Sequence, residues 1–187
     1  MPTIRQVIPD LGRFWTIPNA LSLFRVLLVA PIAVLIWQNT RMDVVLGLVV
    51  LGILTDFLDG RIARAMGVTS EWGKVLDPLA DKVAAIVLVA VLALRPHEPN
   101  MPLWLLGMVA SRDILIVWGG VALIRKRGEL AMSLQAGKWA VTLLSFLIVA
   151  YVIEAPAWVV LPLLWGTAGL LVFSSGLYLV HFIARYR

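Results

Sequence analysis

Asp56-Phe57-Leu58-Asp59-Gly60-Arg61-Ile62-Ala63-Arg64, followed after eight residues by Gly73-Lys74-Val75-Leu76-Asp77-Pro78-Leu79-Ala80-Asp81, is the stretch that decides how this chain is read. Four aspartates stand in it, and the sequence on both sides is strongly apolar. A carboxylate beside hydrocarbon is costly and is seldom found without a job. On a helix, positions i, i+3, i+4 and i+7 share one face. Asp56, Asp59, Gly60 and Ala63 have that spacing, and Asp77 and Asp81 are i and i+4. A short connection folds two such helices antiparallel, so the two acidic faces can converge.

Left to themselves, four close carboxylates repel and partly take up protons. Divalent cations remove that repulsion, and hard oxygen ligands suit Mg²⁺ or Mn²⁺. Two such ions about 3.5–4 Å apart can clamp a phosphoryl centre and its leaving group. Gly60 and Gly73 carry no side chain, which lets a bulky ligand approach the backbone. Arg64 can pair with phosphate oxygens in a bidentate way. The competing reading is local ion pairing: Asp59 with Arg61 or Arg64, Asp77 with Lys74, Asp81 with Lys82.

Composition places this motif in a membrane. Of 187 residues, 61% are hydrophobic and 14% charged, against about half and a quarter in soluble domains. Mean hydropathy is +0.93. A span needs about 20 mostly apolar residues, and six runs qualify: Ile17–Trp37, Val44–Ala65, Val75–Leu94, Pro102–Ile124, Gln135–Ile153 and Trp158–Ile183. The expected fold is therefore an all-α integral membrane protein of six transmembrane helices. Residues 17–187 form one domain, preceded by residues 1–16 as a short interfacial helix. Pro9, Asp10 and Gly12 interrupt the N-terminal region, so no secretory signal is expected there. There is no cysteine, which excludes disulfides, thiolate metal sites and a cysteine nucleophile.

The net charge of +5 does not point to nucleic acid, because the basic residues sit at the ends of apolar runs. One side gathers Arg5, Arg13, Arg61, Arg64, Lys74, Arg125, Lys126, Arg127, Arg185 and Arg187; the other holds Arg41 and Arg95. The positive-inside rule then puts both termini and the second and fourth connections in the cytoplasm. Asp56 precedes Arg64 by eight residues, about 12 Å of helix. The acidic centre thus belongs in the cytoplasmic half of the inner membrane, within reach of lipid headgroups.

The motif resembles the signature of the CDP-alcohol phosphatidyltransferases, D-x2-D-G-x2-A-R-x8-9-G-x3-D-x3-D, at every fixed position. The resemblance implies a membrane enzyme, usually a homodimer, that transfers a phosphatidyl group from CDP-diacylglycerol to an alcohol and releases CMP. It implies that Asp56 and Asp77 bridge two metal ions, that Asp59 completes the first site and Asp81 the second, and that Asp81 takes the proton of the acceptor hydroxyl. It also implies that Gly60, Ala63, Arg64, Ser70 and Gly73 lie at the CDP moiety. The run Pro18-Asn19-Ala20-Leu21-Ser22 with Arg25 resembles the family's first-helix pattern, which would add Asn19 and Ser22; Asn19 as a simple helix cap is the alternative.

For the acceptor, the cations of the later helices matter: Arg112, Lys138 and Arg125 are the candidates. Ser111-Arg112-Asp113 interrupts an apolar run. It serves either an acceptor phosphate or an internal pair with Asp113 or Asp81. Arg125-Lys126-Arg127 also reads as a topogenic cluster, and Lys138 as a side chain that snorkels to the headgroups. The run Leu76-Asp77-Pro78-Leu79-Ala80-Asp81-Lys82 resembles the glycerol-type branch of the family. Glycerol 3-phosphate is the expected acceptor, with phosphatidylglycerol, giving cardiolipin, as the alternative that Ser111-Arg112-Asp113 favours. A reading from another class is an ion-coupled transporter. It would place acidic groups near the midplane and in matching half-repeats, neither of which the sequence offers.

Overall fold

The structure is a computed structural model and describes residues 17–52, 73–127 and 135–186. Among these residues there are six helices and no strand: α1 (Ile17–Gln38), α2 (Met42–Gly52), α3 (Gly73–Leu94), α4 (Leu103–Arg127), α5 (Gln135–Val152) and α6 (Ala157–Tyr186). The expectation of an all-helical fold holds for the described residues. The interfacial helix expected over residues 1–16 lies outside the described residues. Helix bounds follow the apolar runs to within three residues wherever the end of the run is described; residues 53–65 of the second run lie outside the described residues. The largest differences are at the ends of α4 and α6, each three residues beyond its apolar run; α4 continues through Arg125, Lys126 and Arg127. Lys and Arg are good helix formers and suit the negative end of the helix dipole, so the helix outlasts the apolar run.

The chain divides into two compact units, Met1–Val91 and Leu92–Arg187. In the first, α1 buries Val29, Ile32 and Ile36, which recur at i, i+3 and i+7 along one face. The helix stops at Asn39, whose φ of 51° is left-handed. The Thr40 amide donates to the Leu35 carbonyl and the Asn39 amide to the Ile36 carbonyl, each at 3.2 Å. This is a Schellman cap, and Asn tolerates the left-handed position better than most residues. Arg41, also at φ 51°, turns the chain into α2, and its carbonyl accepts from the Val44 and Val45 amides.

In the second unit, α6 packs on α5 and on α4. The buried face of α5 carries Gly137, Ala140, Leu144, Leu147, Ile148 and Tyr151. That of α6 carries Leu164, Thr167, Ala168, Leu171 and Ser174. Small and hydroxylated residues inside let helix backbones approach closely, the habit of helix packing in lipid. Gly166 shows it directly: a Cβ there would sit 3.0 Å from Leu143 Cδ2. Trp104 stacks on Trp165 at 5.8 Å between centroids, and Trp118 meets Phe182 at 5.7 Å, joining α4 to α6.

The outward faces are apolar and bulky: Ile114, Trp118, Trp139, Phe146, Trp165, Val172, Phe173 and Val180 are all exposed. Soluble proteins seldom expose so many large apolar side chains. Two helical stretches, Gln135–Val152 and Ala157–Ala184, are long and apolar enough to cross a membrane.

Candidate active site

Asp81 is placed by α3, a continuous helix from Gly73 to Leu94. Because that helix is unbroken, Asp77 and Asp81 lie one turn apart on one face, as the spacing requires. Pro78 falls in the second turn, the sixth residue of the helix. Asp56, Asp59, Gly60, Ala63, Arg64 and Ser70 lie outside the described residues. Asn19 and Ser22 fall on α1, Gly73 and Asp77 on α3, and Arg125 on α4. Among the described residues no group of three or more His, Cys, Asp or Glu gathers.

The Asp81 side chain is 53% exposed, and Arg25 Nη1 of α1 donates to its Oδ1. Arg25 itself is largely buried. The motif's final carboxylate is thus accessible, turned to a cation on a helix far away in sequence. The exposed Asp81 carboxylate is a hard oxygen donor, the kind that Mg²⁺ or Mn²⁺ takes. Arg25 is the residue sequence reasoning left without a role. Its signal was an arginine in the middle of an otherwise apolar run, which calls for a named partner.

The candidate acceptor residues belong to the second unit. Arg112 is 7% exposed and Asp113 8%. The Arg112 guanidinium donates from Nε to Ser174 Oγ at 3.2 Å, from Nη1 to Asp113 Oδ1 at 3.1 Å, and from Nη2 to the Gly137 carbonyl at 3.3 Å. The internal pair with Asp113 therefore exists. Ser174 is fully buried, and its hydroxyl donates to the Leu171 carbonyl at 3.1 Å. Lys138, the next residue after Gly137, is exposed, and its carbonyl accepts from Thr142 Oγ1 at 3.0 Å. Structure and sequence differ in emphasis here: Arg112 and Gly137 come together, whereas Lys138 turns outward.

Residues 15–173 match the CDP-alcohol phosphatidyltransferase family, and the chain belongs to that family. It is 40% identical over 104 residues to the CMP-forming cardiolipin synthase of Rattus norvegicus, a match covering 55% of this chain and 33% of the relative. It is 34% identical over 111 residues to the CDP-diacylglycerol--glycerol-3-phosphate 3-phosphatidyltransferase of Aquifex aeolicus, covering 59% of this chain and 61% of the relative. A chloroplastic enzyme of the latter name from Oryza sativa is 38% identical over 115 residues, covering 58% and 32%. The matches thus span about a third to three-fifths of these relatives' lengths. No solved structure matches the chain significantly.

Proposed function

We propose that this chain transfers a phosphatidyl group from CDP-diacylglycerol to a glycerol-type alcohol and releases CMP. The observation that carries the reading is the complete acidic motif from Asp56 to Asp81, with Asp77 and Asp81 on one turn-spaced face of α3. Asp56, Asp59, Asp77 and Asp81 would hold two divalent ions. Those ions would supply charge neutralisation at the diphosphate, as two-metal sites do. Arg64 pairs with phosphate oxygens, and Gly60, Ala63, Ser70, Gly73, Asn19 and Ser22 shape the place of the CDP moiety. Asp81 accepts the proton of the attacking hydroxyl. A new bond forms between the acceptor oxygen and the lipid-side phosphorus, and the bond from that phosphorus to the CMP oxygen breaks. No covalent enzyme intermediate is needed.

The setting belongs to the same proposal: six membrane spans, the acidic centre and both termini on the cytoplasmic side of the inner membrane, and a homodimer. The outward-facing tryptophans and phenylalanines of α4, α5 and α6 support burial in lipid. Membership of a transferase family leaves the transporter reading without support.

Glycerol 3-phosphate is the proposed acceptor. Phosphatidylglycerol is a second reading, favoured by Arg112-Asp113 and by the match to the rat cardiolipin synthase. Purified protein with Mg²⁺ or Mn²⁺ and CDP-diacylglycerol is offered glycerol 3-phosphate, phosphatidylglycerol, inositol phosphate or serine, and the lipid products are weighed. CMP release with one glycerol-type acceptor is expected, and Asp56→Asn, Asp77→Asn and Asp81→Asn should each abolish it. Activity surviving all three substitutions would reject the mechanism.

A further inference from the structure

Arg112 is held by more than its neighbour. A guanidinium has five N–H donors, and three of them go to acceptors on three helices: Asp113 on α4, the Gly137 carbonyl on α5 and Ser174 on α6. The partners lie 25 and 62 residues away for Gly137 and Ser174. Position 137 also has to be empty. A Cβ there would lie 2.9 Å from Arg112 Nη2 and 3.1 Å from the Tyr178 hydroxyl oxygen. A real Cβ essentially never comes within 3.0 Å of another heavy atom, so a side chain at 137 has to push the end of the Arg112 guanidinium aside. Ser174 lies just past the residues that match the family, 15–173.

We infer that Ser174 and Gly137 are positioning residues that fix the Arg112 guanidinium for the phosphate of the acceptor alcohol. This rests on the reading of Arg112 as the acceptor contact. Three bonds leave one N–H on each terminal nitrogen, and the oxygens of a phosphate, like those of a carboxylate, match paired guanidinium donors. Ser174 Oγ sets the rotation of the plane through Nε, Gly137 sets the place of Nη2 through its carbonyl and its missing side chain, and Asp113 balances the charge. A guanidinium fixed beforehand loses less freedom when the acceptor arrives, so the gain appears in acceptor binding rather than in the chemical step.

The test is steady-state kinetics on the full-length protein in detergent with CDP-diacylglycerol, against glycerol 3-phosphate in one arm and phosphatidylglycerol in the other. Ser174→Ala leaves Nε without its acceptor, and Gly137→Ala pushes Nη2 aside. Each should raise the KM of the productive acceptor roughly tenfold, with kcat and the KM for CDP-diacylglycerol within about twofold of wild type. Ser174→Thr keeps the hydroxyl and should restore the wild-type KM. If Ser174→Ala cannot be purified folded, Gly137→Ala decides, since its methyl meets only side-chain ends. Acceptor KM unchanged in these variants, or both substrates' KM values rising together, overturns the inference. Arg112→Met separates the levels. If it too leaves the acceptor KM unchanged, the acceptor reading of Arg112 is wrong; if it raises that KM while Ser174→Ala and Gly137→Ala do not, only the positioning claim fails.

Discussion

Two buried arginines of the second unit, Arg112 and Arg95, are treated in opposite ways. Arg112 sits in the middle of α4 and bonds to groups on three helices. Arg95 follows the end of α3, is 2% exposed, and donates from Nη2 to the Pro99 carbonyl, while its Nε and Nη1 have no hydrogen-bond partner. Burial lowers the affinity of the Arg95 guanidinium for its proton, and the carboxylates of Glu154 and Glu98 oppose that. The first arginine is fixed by three hydrogen bonds; the second is held by one, with nearby carboxylates balancing its charge. Fixed orientation is what recognition of a ligand needs, whereas one hydrogen bond and charge balance suffice to tie Arg95 to its loop.

This contrast can be broken by substitution. The largest effect is expected from Arg112→Met. Loss of charged hydrogen bonds should cut acceptor use by roughly 10- to 100-fold, and removal of one partner of a buried pair should lower stability by about 3 kcal/mol. Acceptor kinetics and thermal unfolding in detergent read the two effects. Arg95→Met should do far less: activity unchanged, and stability within about 1 kcal/mol, because exchanging a poorly bonded buried charge for an apolar side chain is often neutral or favourable. Equal losses from both substitutions would erase the distinction.

The smallest effect concerns Glu154, which has a left-handed φ of 51° at the end of α5. Its neighbour Ala155 donates to the Ala150 carbonyl at 2.8 Å, closing a cap that glycine fits best. Glu154→Gly relieves about 1 kcal/mol of backbone strain but withdraws a carboxylate from Arg95. The substitution should therefore stabilise more in the Arg95→Met background than in wild type. A double-mutant cycle by thermal unfolding measures this, and an equal gain in both backgrounds would show that Glu154 and Arg95 do not interact.

How much of this was legible in sequence depends on the range of the interaction. The helices were, because apolar runs bounded by charges fix them locally; α1 and α3 begin and end within two residues of their apolar runs. Asp77 and Asp81 were, because their spacing is a property of one helix. The Arg112–Asp113 pair was, because the two are adjacent. The partners of Arg25, 56 residues away, and of Arg112, up to 62 residues away, were not. Ser174-Ser175, a polar pair inside an apolar helix, was the visible trace of one of them. No spacing rule links an arginine to a serine two helices later, so only the packed structure reveals the clamp.

The central claim is that aspartates 56, 59, 77 and 81 jointly bind a pair of divalent ions that prepare a nucleotide-linked lipid for attack. Electron paramagnetic resonance of Mn²⁺ titrated into the purified protein, with CDP-diacylglycerol present, tests it most directly. The account predicts two spin-coupled Mn²⁺ ions per chain, with the coupling lost in Asp77→Asn. A spectrum of free Mn²⁺ alone, or a coupled signal that persists in Asp77→Asn, would contradict it.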